Sequence, residues 1–342
     1  MNQNLKILER LFGEAFLERD NRIKSYRYLQ DFLERKHTDW SSAPDTKKIV
    51  DALLDELSSM TLEQFSFLLC HSGYIPEEYL PDSSKETLYS KLIETLVLEW
   101  ARRIGFDLSV LPTQKSSTED VTIQDSDCVI VCDTKSFRLG RSQAAPNVKD
   151  VLKYSDISKW LNRHSSKIQL GGLVTFPSQH DWKKSSDFYQ YTTDKSLPTI
   201  CLYYEHLSLF LLTGTDKETI ISTFKDYGNI FPKVLPKTIN NREQYYRKII
   251  TRLFDKTSNE YEDFSSASVL IVKELVFFWD TTLNGHITEI TEEITSYYES
   301  VQDIQELRSY VINSERKRKT ENLLKQLERI RNFRKSLGKF IN

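Results

Sequence analysis

The chain has 342 residues, 39% of them hydrophobic and 28% charged, with a formal net charge of -2. That length accommodates one large domain with extensions or two small ones, and the composition supports a buried core. The near-neutral balance gives no global signal for nucleic acid, so any such affinity rests on local patches. No run reaches the ~18 apolar residues of a membrane span, and the richest, Val269–Trp279, is broken by Lys273 and Glu274. Met1–Lys6 is not followed by a long apolar region, so no secretory signal is read. Cys70, Cys128, Cys132 and Cys201 are scattered without zinc-site spacing and read as reduced core thiols of a cytoplasmic protein.

Residues 1–75 read as a helical N-terminal region. Leu5, Leu8, Leu11, Phe12, Ala15 and Phe16 follow helical spacing. Further helices are predicted from Arg22 to Lys36 and from Asp45 past Leu57, and Thr61-Leu62-Glu63-Gln64 has the form of a capping box. His71 reads as a packing histidine. The next helix runs from Ser83 to about Ile104, with Leu88, Leu92, Thr95, Leu96, Leu98 and Trp100 on a broad apolar face and Glu94 among them. Gly105 suits a left-handed helix end. Residues 112–118 are a polar loop leading to Glu119 and Asp120.

Asp120–Lys135 reads as two strands folded back on each other. The turn falls on Gln124-Asp125-Ser126-Asp127, whose small polar side chains favour tight reversal. The second arm, Cys128–Cys132, is apolar at every position, as in a strand covered on both faces. Strand side chains alternate, so Asp133 and Lys135 share a face. Antiparallel pairing about Ser126 then sets Asp120 opposite Asp133. Two carboxylates and an ammonium would converge at the end of a rigid hairpin. Carboxylate oxygens suit Mg²⁺, which keeps most of its waters and takes one or two protein carboxylates beside substrate phosphate. A neighbouring lysine can orient or deprotonate water. The spacing D-x12-D-x-K is that of PD-(D/E)xK nucleases, with Glu119 where proline is frequent. A solvated hairpin with an ion pair is the other reading of the same residues.

Asp133-Thr134-Lys135-Ser136-Phe137-Arg138-Leu139-Gly140-Arg141 resembles the D-A-K-S-F-R-L-S-R block of the HindIII type II restriction endonuclease family. Gly73–Glu77 resembles its G-I-L-P-E, Ser83–Lys91 its S-S-x-x-E-K-L-F-S-K helix, and Tyr204-Glu205-His206-Leu207 its W-E-H-L. The likeness covers residues 60–215. It implies an α/β fold with a PD-(D/E)xK core, a mixed central sheet flanked by helices, over 76–215, between helical extensions. It implies Mg²⁺-dependent cleavage of a palindromic DNA duplex by a homodimer, with AAGCTT as the family's type of site. Carried over, Asp120 and Asp133 are the metal-binding carboxylates and Lys135 the catalytic lysine. PD-(D/E)xK enzymes often send a further acid from the helix before the hairpin. Glu94 is the first candidate and Glu86 the second, the alternative for each being a side chain facing water.

Beyond the hairpin, Ser136, Arg138 and Arg141, with Asn147 and Lys149 behind them, form a basic, polar segment suited to phosphates or base edges. A helix is predicted over 146–165 with Trp160 on its apolar side, a strand over Ile168–Phe176, and a helix around 181–191. His180, in a loop, is a minor candidate for a second base. A strand over 198–204 runs into a helix over 205–212, where His206 caps or packs. Residues 216–342 read as helical, with segments at 216–227, 242–254 and 265–279 and a loop holding Pro232 and Pro236. Ile287, Ile290, Ile294, Val301, Ile304, Leu307 and Val311 recur at three and four, a packing stripe suited to a partner helix. The basic tail from Arg316 to Lys339 is a solvated face, half of a helical hairpin, or a backbone-binding arm. Two other functions fit parts of the chain: a structure-specific repair nuclease, and a non-catalytic helical DNA-binding protein.

Overall fold

A computed structural model describes residues 3–113, 117–138, 152–181, 188–192, 197–230, 243–301 and 303–336. Arg141, Asn147 and Lys149 fall outside these ranges, as do residues 146–151 and 182–187 of the predicted helices and the loop with Pro232 and Pro236. The chain divides into two units, one up to Phe278 and one from Trp279 onward.

The first unit opens with five helices, α1 (Gln3–Phe12), α2 (Glu14–Leu17), α3 (Arg19–Lys36), α4 (Thr46–Ser58) and α5 (Leu62–Ser72). Their starts follow capping chemistry. The Asp45 side chain accepts from Lys48 N, and Thr61 and Gln64 close the predicted box reciprocally. Phe12, Phe16, Tyr26 and Phe67 meet edge-on or tilted beneath these helices. A two-residue strand, β1 (Tyr74–Ile75), precedes the 20-residue α6 (Ser84–Arg103), which Ser83 caps through Glu86 N. All six residues assigned to the apolar face of α6 are buried. Gly105 follows with φ +103, the left-handed turn expected of it.

A four-stranded sheet in the order β2-β3-β5-β6 carries the centre of the unit. The hairpin β2 (Val121–Gln124) and β3 (Cys128–Thr134) pairs antiparallel. Strands β5 (Ile168–Phe176) and β6 (Thr199–Tyr203) extend it in parallel. Six of the seven residues of β3 are buried, which explains why its sequence reads as a continuous apolar run. The short β4 (Phe137–Arg138) leaves this sheet and pairs in parallel with β1. Helix α7 (Tyr154–Leu161) lies between β3 and β5 in the chain, and α8 (Phe188–Tyr191) between β5 and β6. Trp160 does not hold the apolar side of α7. Ile157 and Leu161 are buried instead, and Trp160 donates its Nε1–H to the Ser117 carbonyl at 2.8 Å.

Beyond β6 the described residues are helical: α9 (Tyr204–Leu212), α10 (Lys217–Lys225), α11 (Tyr227–Ile230), α12 (Glu243–Leu253) and α13 (Ser258–Ala267). The helix predicted over 265–279 is two helices. The helical assignment breaks at the buried Ser268, and α14 (Val269–Ser300) runs on through Gly285. The first turns of α14 are fixed by Glu274, which accepts from Arg22 Nε at 2.8 Å and from the Tyr26 hydroxyl at 2.9 Å. All four cysteines are buried and unbridged.

The second unit holds the rest of α14 and α15 (Ile304–Ser336). The predicted stripe is present and largely uncovered: Ile287, Ile290, Ile294, Ile304 and Val311 are exposed, and Val301 and Leu307 are half-buried. Tyr297 and Tyr298 both meet the ring of Tyr310, at 5.1 and 5.0 Å between centroids.

Candidate active site

The register of the hairpin creates the site. Val121 pairs with Cys132, and Asp120 N donates to the Cys132 carbonyl at 2.9 Å, so Asp120 arrives beside Asp133 as the alternation requires. Asp120 Oδ2 accepts from Thr134 N at 2.7 Å and from Thr134 Oγ1 at 3.1 Å. Lys135 Nζ lies 2.6 Å from Asp133 Oδ1. Both lie at the C-terminal end of β3, where its parallel neighbour β5 also ends. Lys135 N donates to the Thr175 carbonyl at 2.9 Å and carries the ladder one residue further.

The cluster holds more negative charge than its lysines offset. Burial, and then the adjacent Asp120, raise the Asp133 carboxyl above the ordinary carboxylate range against the pull of Lys135. Glu94, one helix away on α6, is pushed up to about 7 by burial and then by Asp120, while Lys91 draws it down. Glu94 is thus electrostatically part of the cluster, although its carboxylate is engaged by Lys91. Glu86, two turns earlier on α6, pairs with Arg138 at 2.7 Å. Ser136 Oγ lies 3.5 Å from Ser90 Oγ of α6.

The donor set suits Mg²⁺. Two adjacent aspartates could supply hard oxygen ligands, with the remaining positions left to water and a phosphate oxygen. Among the described residues no group of three or more His, Cys, Asp or Glu is drawn together as a complete ligand set, which would suit a cation more fully enclosed by protein.

Four separated segments meet along this wall. Tyr74 and Ile75 pair with Phe137 and Arg138, and Phe137 N donates to the Gly73 carbonyl at 3.0 Å. A Cβ on Gly73 would stand 2.7 Å from the Tyr204 ring, so only glycine admits that contact. Helix α6 supplies Glu86 and Ser90 to Arg138 and Ser136. Tyr204 reaches across from the start of α9 and donates its hydroxyl to the Lys135 carbonyl at 3.1 Å. The sequence blocks around residues 73, 83, 133 and 204 are therefore one assembly in space.

Sequence reading missed three buried groups. Glu119, beside Asp120, accepts from Thr122 Oγ1 at 2.8 Å and lies 2.7 Å from His164 Nε2. Glu205 accepts from Ser178 Oγ at 2.6 Å and from Gln179 N at 2.9 Å. Tyr204 is the third. Local pattern does not mark their burial, since His164, Ser178, Gln179 and Lys135 reach them from distant stretches of chain. Three histidines are held by neighbouring polar groups. His71 meets Ser25 at 2.8 Å, His206 Nδ1 accepts from Tyr203 N at 3.3 Å, and His180 Nε2 is 3.1 Å from Ser268 Oγ. Burial pushes His180 down to about 4 and Glu205 up to about 8, so they face each other uncharged at neutral pH.

Two carboxylates and a lysine meet at the end of a buried strand in a mixed α/β chain, an arrangement chemically compatible with metal-assisted hydrolysis. The chain belongs to the HindIII restriction endonuclease family, whose model matches residues 35–307. That span is wider than the 60–215 carried by the motif blocks and includes every element that builds the site. A comparison with curated proteins gives no match. Family membership makes the chain a nuclease with DNA as substrate. No helix among the described residues is long and apolar enough to cross a membrane.

Proposed function

We propose that the chain is a type II restriction endonuclease with a PD-(D/E)xK core, hydrolysing phosphodiester bonds at a palindromic duplex site. The observation that carries this reading is the meeting of Asp120, Asp133 and Lys135 at the end of β3 in a member of this family. Asp120 and Asp133 would hold Mg²⁺, which when bound offsets charge on the scissile phosphate and favours ionisation of water. Lys135, half-buried beside Asp133, aligns the attacking water and steadies charge developing on the phosphoryl oxygens. Water attacks phosphorus, the bond to the 3′ oxygen breaks, and the products carry a 5′ phosphate and a 3′ hydroxyl. Glu94 supports the cluster from α6 by holding Lys91 at its edge.

Ser136, Arg138, Arg141, Asn147 and Lys149 follow the catalytic strand and would contact DNA. Arg138 is held by Glu86 of α6, which ties DNA contact through Arg138 to the helix bearing Glu94. A palindromic site has two-fold symmetry, and a homodimer matches it with one cluster for each strand. AAGCTT is the site suggested by the family. The test is incubation with long duplex DNA, with Mg²⁺ or with a chelator. Discrete bands that need the metal are expected, with cut ends that sequence to one palindrome. A smear, cutting confined to junctions, or intact shifted DNA would reject site-specific cleavage.

A further inference from the structure

Lys135 lies one residue beyond the end of β3, and its neighbour Ser136 leads to β4 in a different sheet. A side chain there would sweep widely unless its peptide groups were held. Both are held. Its N–H donates to the Thr175 carbonyl at 2.9 Å, and its carbonyl accepts from the Tyr204 hydroxyl at 3.1 Å. Fixing the two peptide planes on either side of a Cα fixes the direction of its Cβ, and hence where the ammonium can reach. Tyr204 is itself immobile: it is 1% exposed, and its ring lies against the backbone of Gly73. The Thr175 hydroxyl donates to the Tyr204 oxygen at 3.2 Å, which leaves the tyrosine proton to point at Lys135. Thr175 thus holds Lys135 twice, directly through its carbonyl and through the tyrosine by its hydroxyl.

We propose that Tyr204 is a positioning residue for the cleavage step, holding the Lys135 peptide so that the ammonium stays on the Asp133 side of the site. This inference rests on the nuclease reading above. Tyr204 donates to backbone and is 1% exposed, so its removal is expected to act on rate and leave DNA affinity in place. A purely structural role would lower stability and affinity together.

The test compares wild type, Tyr204→Phe, Thr175→Val and Lys135→Ala on a plasmid. DNA affinity is measured in chelator, single-turnover cleavage in Mg²⁺ with enzyme in excess, and the melting temperature alongside. Tyr204→Phe keeps the ring and removes only the hydroxyl. Its cleavage rate is expected to fall about tenfold or more, with affinity within about twofold of wild type, since small misplacements of a reacting group cost one to two orders of magnitude. Thr175→Val keeps its carbonyl and should lose less. Adding it to Tyr204→Phe should cost little more, as expected of one chain of hydrogen bonds. A Tyr204→Phe rate within twofold of wild type, a fall matched by an equal fall in affinity, or additive losses in the double variant would each overturn the proposal. If the tyrosine variant melts too low to assay, the Thr175→Val rate alone decides: unchanged cleavage overturns it. A wild type that cuts no DNA would refute the nuclease reading instead, whereas cutting abolished by Lys135→Ala but indifferent to Tyr204→Phe refutes only the positioning role.

Discussion

At the scale of single residues, period-two alternation did most of the work. Once the hairpin turn is placed at residues 125–127, Asp120, Asp133 and Lys135 can go nowhere but to one end and one face, and the contacts at 2.6–2.9 Å follow. Glu205, Tyr204 and the Glu119–His164 pair could not be read that way, because burial is a property of the folded whole. Glu205 offers a direct test through pH. Its carboxyl has an ordinary value of 4.5 and is pushed to about 8 by burial in the fold. Between those values the folded state holds a proton that the unfolded chain has lost, so this group's contribution to stability is full below about 4.5 and declines as pH rises towards 8. Glu205→Gln mimics the neutral acid. It is expected to melt close to wild type at pH 5 and above it at pH 8; a variant less stable at both would show that Glu205 is ionised and paired in the fold.

At the scale of elements, the sheet was legible and its irregularities were not. Strand β5 was found to the residue because Ile168–Phe176 ends at proline and carries an apolar run. Its register was hidden: pairing with β3 slips between Val129 and Ile130, and Leu170 is the extra residue. Gly171 makes the slip possible. Its φ is +151, and a Cβ there would stand 2.2 Å from the Pro198 carbonyl oxygen. Gly171→Ala is therefore expected to destabilise the fold by about 2–4 kcal/mol through backbone strain and overpacking, measured by urea unfolding; a loss under about 0.5 kcal/mol would mean that the bulge relaxes freely. The long α14 was split wrongly in the sequence because local pattern cannot show that helix ends depend on neighbours. Glu274 with Arg22 and Tyr26 anchors its start, and Ser268, not Trp279, is where the helical run is interrupted.

At the scale of the molecule, charge is segregated in a chain whose total is near zero. Lys and Arg number 47 against 49 Asp and Glu, yet Arg316–Lys319 is an unbroken basic run on α15. Glu315 meets Arg318 at 2.8 Å and Lys319 at 3.2 Å, exposed pairs that salt screens readily. If this helix follows a DNA backbone, affinity should fall about 10³-fold or more between 50 and 200 mM salt, as for several phosphate contacts. Truncation before Arg316 should then flatten the salt dependence of binding in fluorescence anisotropy. An unchanged slope would leave the tail as a solvated face or a packing helix.

The central claim is that the end of β3 cuts DNA, and Lys135 tests it with the least disturbance, since its half-buried ammonium can be removed while both carboxylates stay. Wild type and Lys135→Ala should be compared on the same duplex for binding in chelator and for cutting in Mg²⁺. The expected result is equal binding, with discrete cleavage by wild type and a loss of at least about 10²-fold in the variant. Cleavage by Lys135→Ala at the wild-type rate would contradict the assignment.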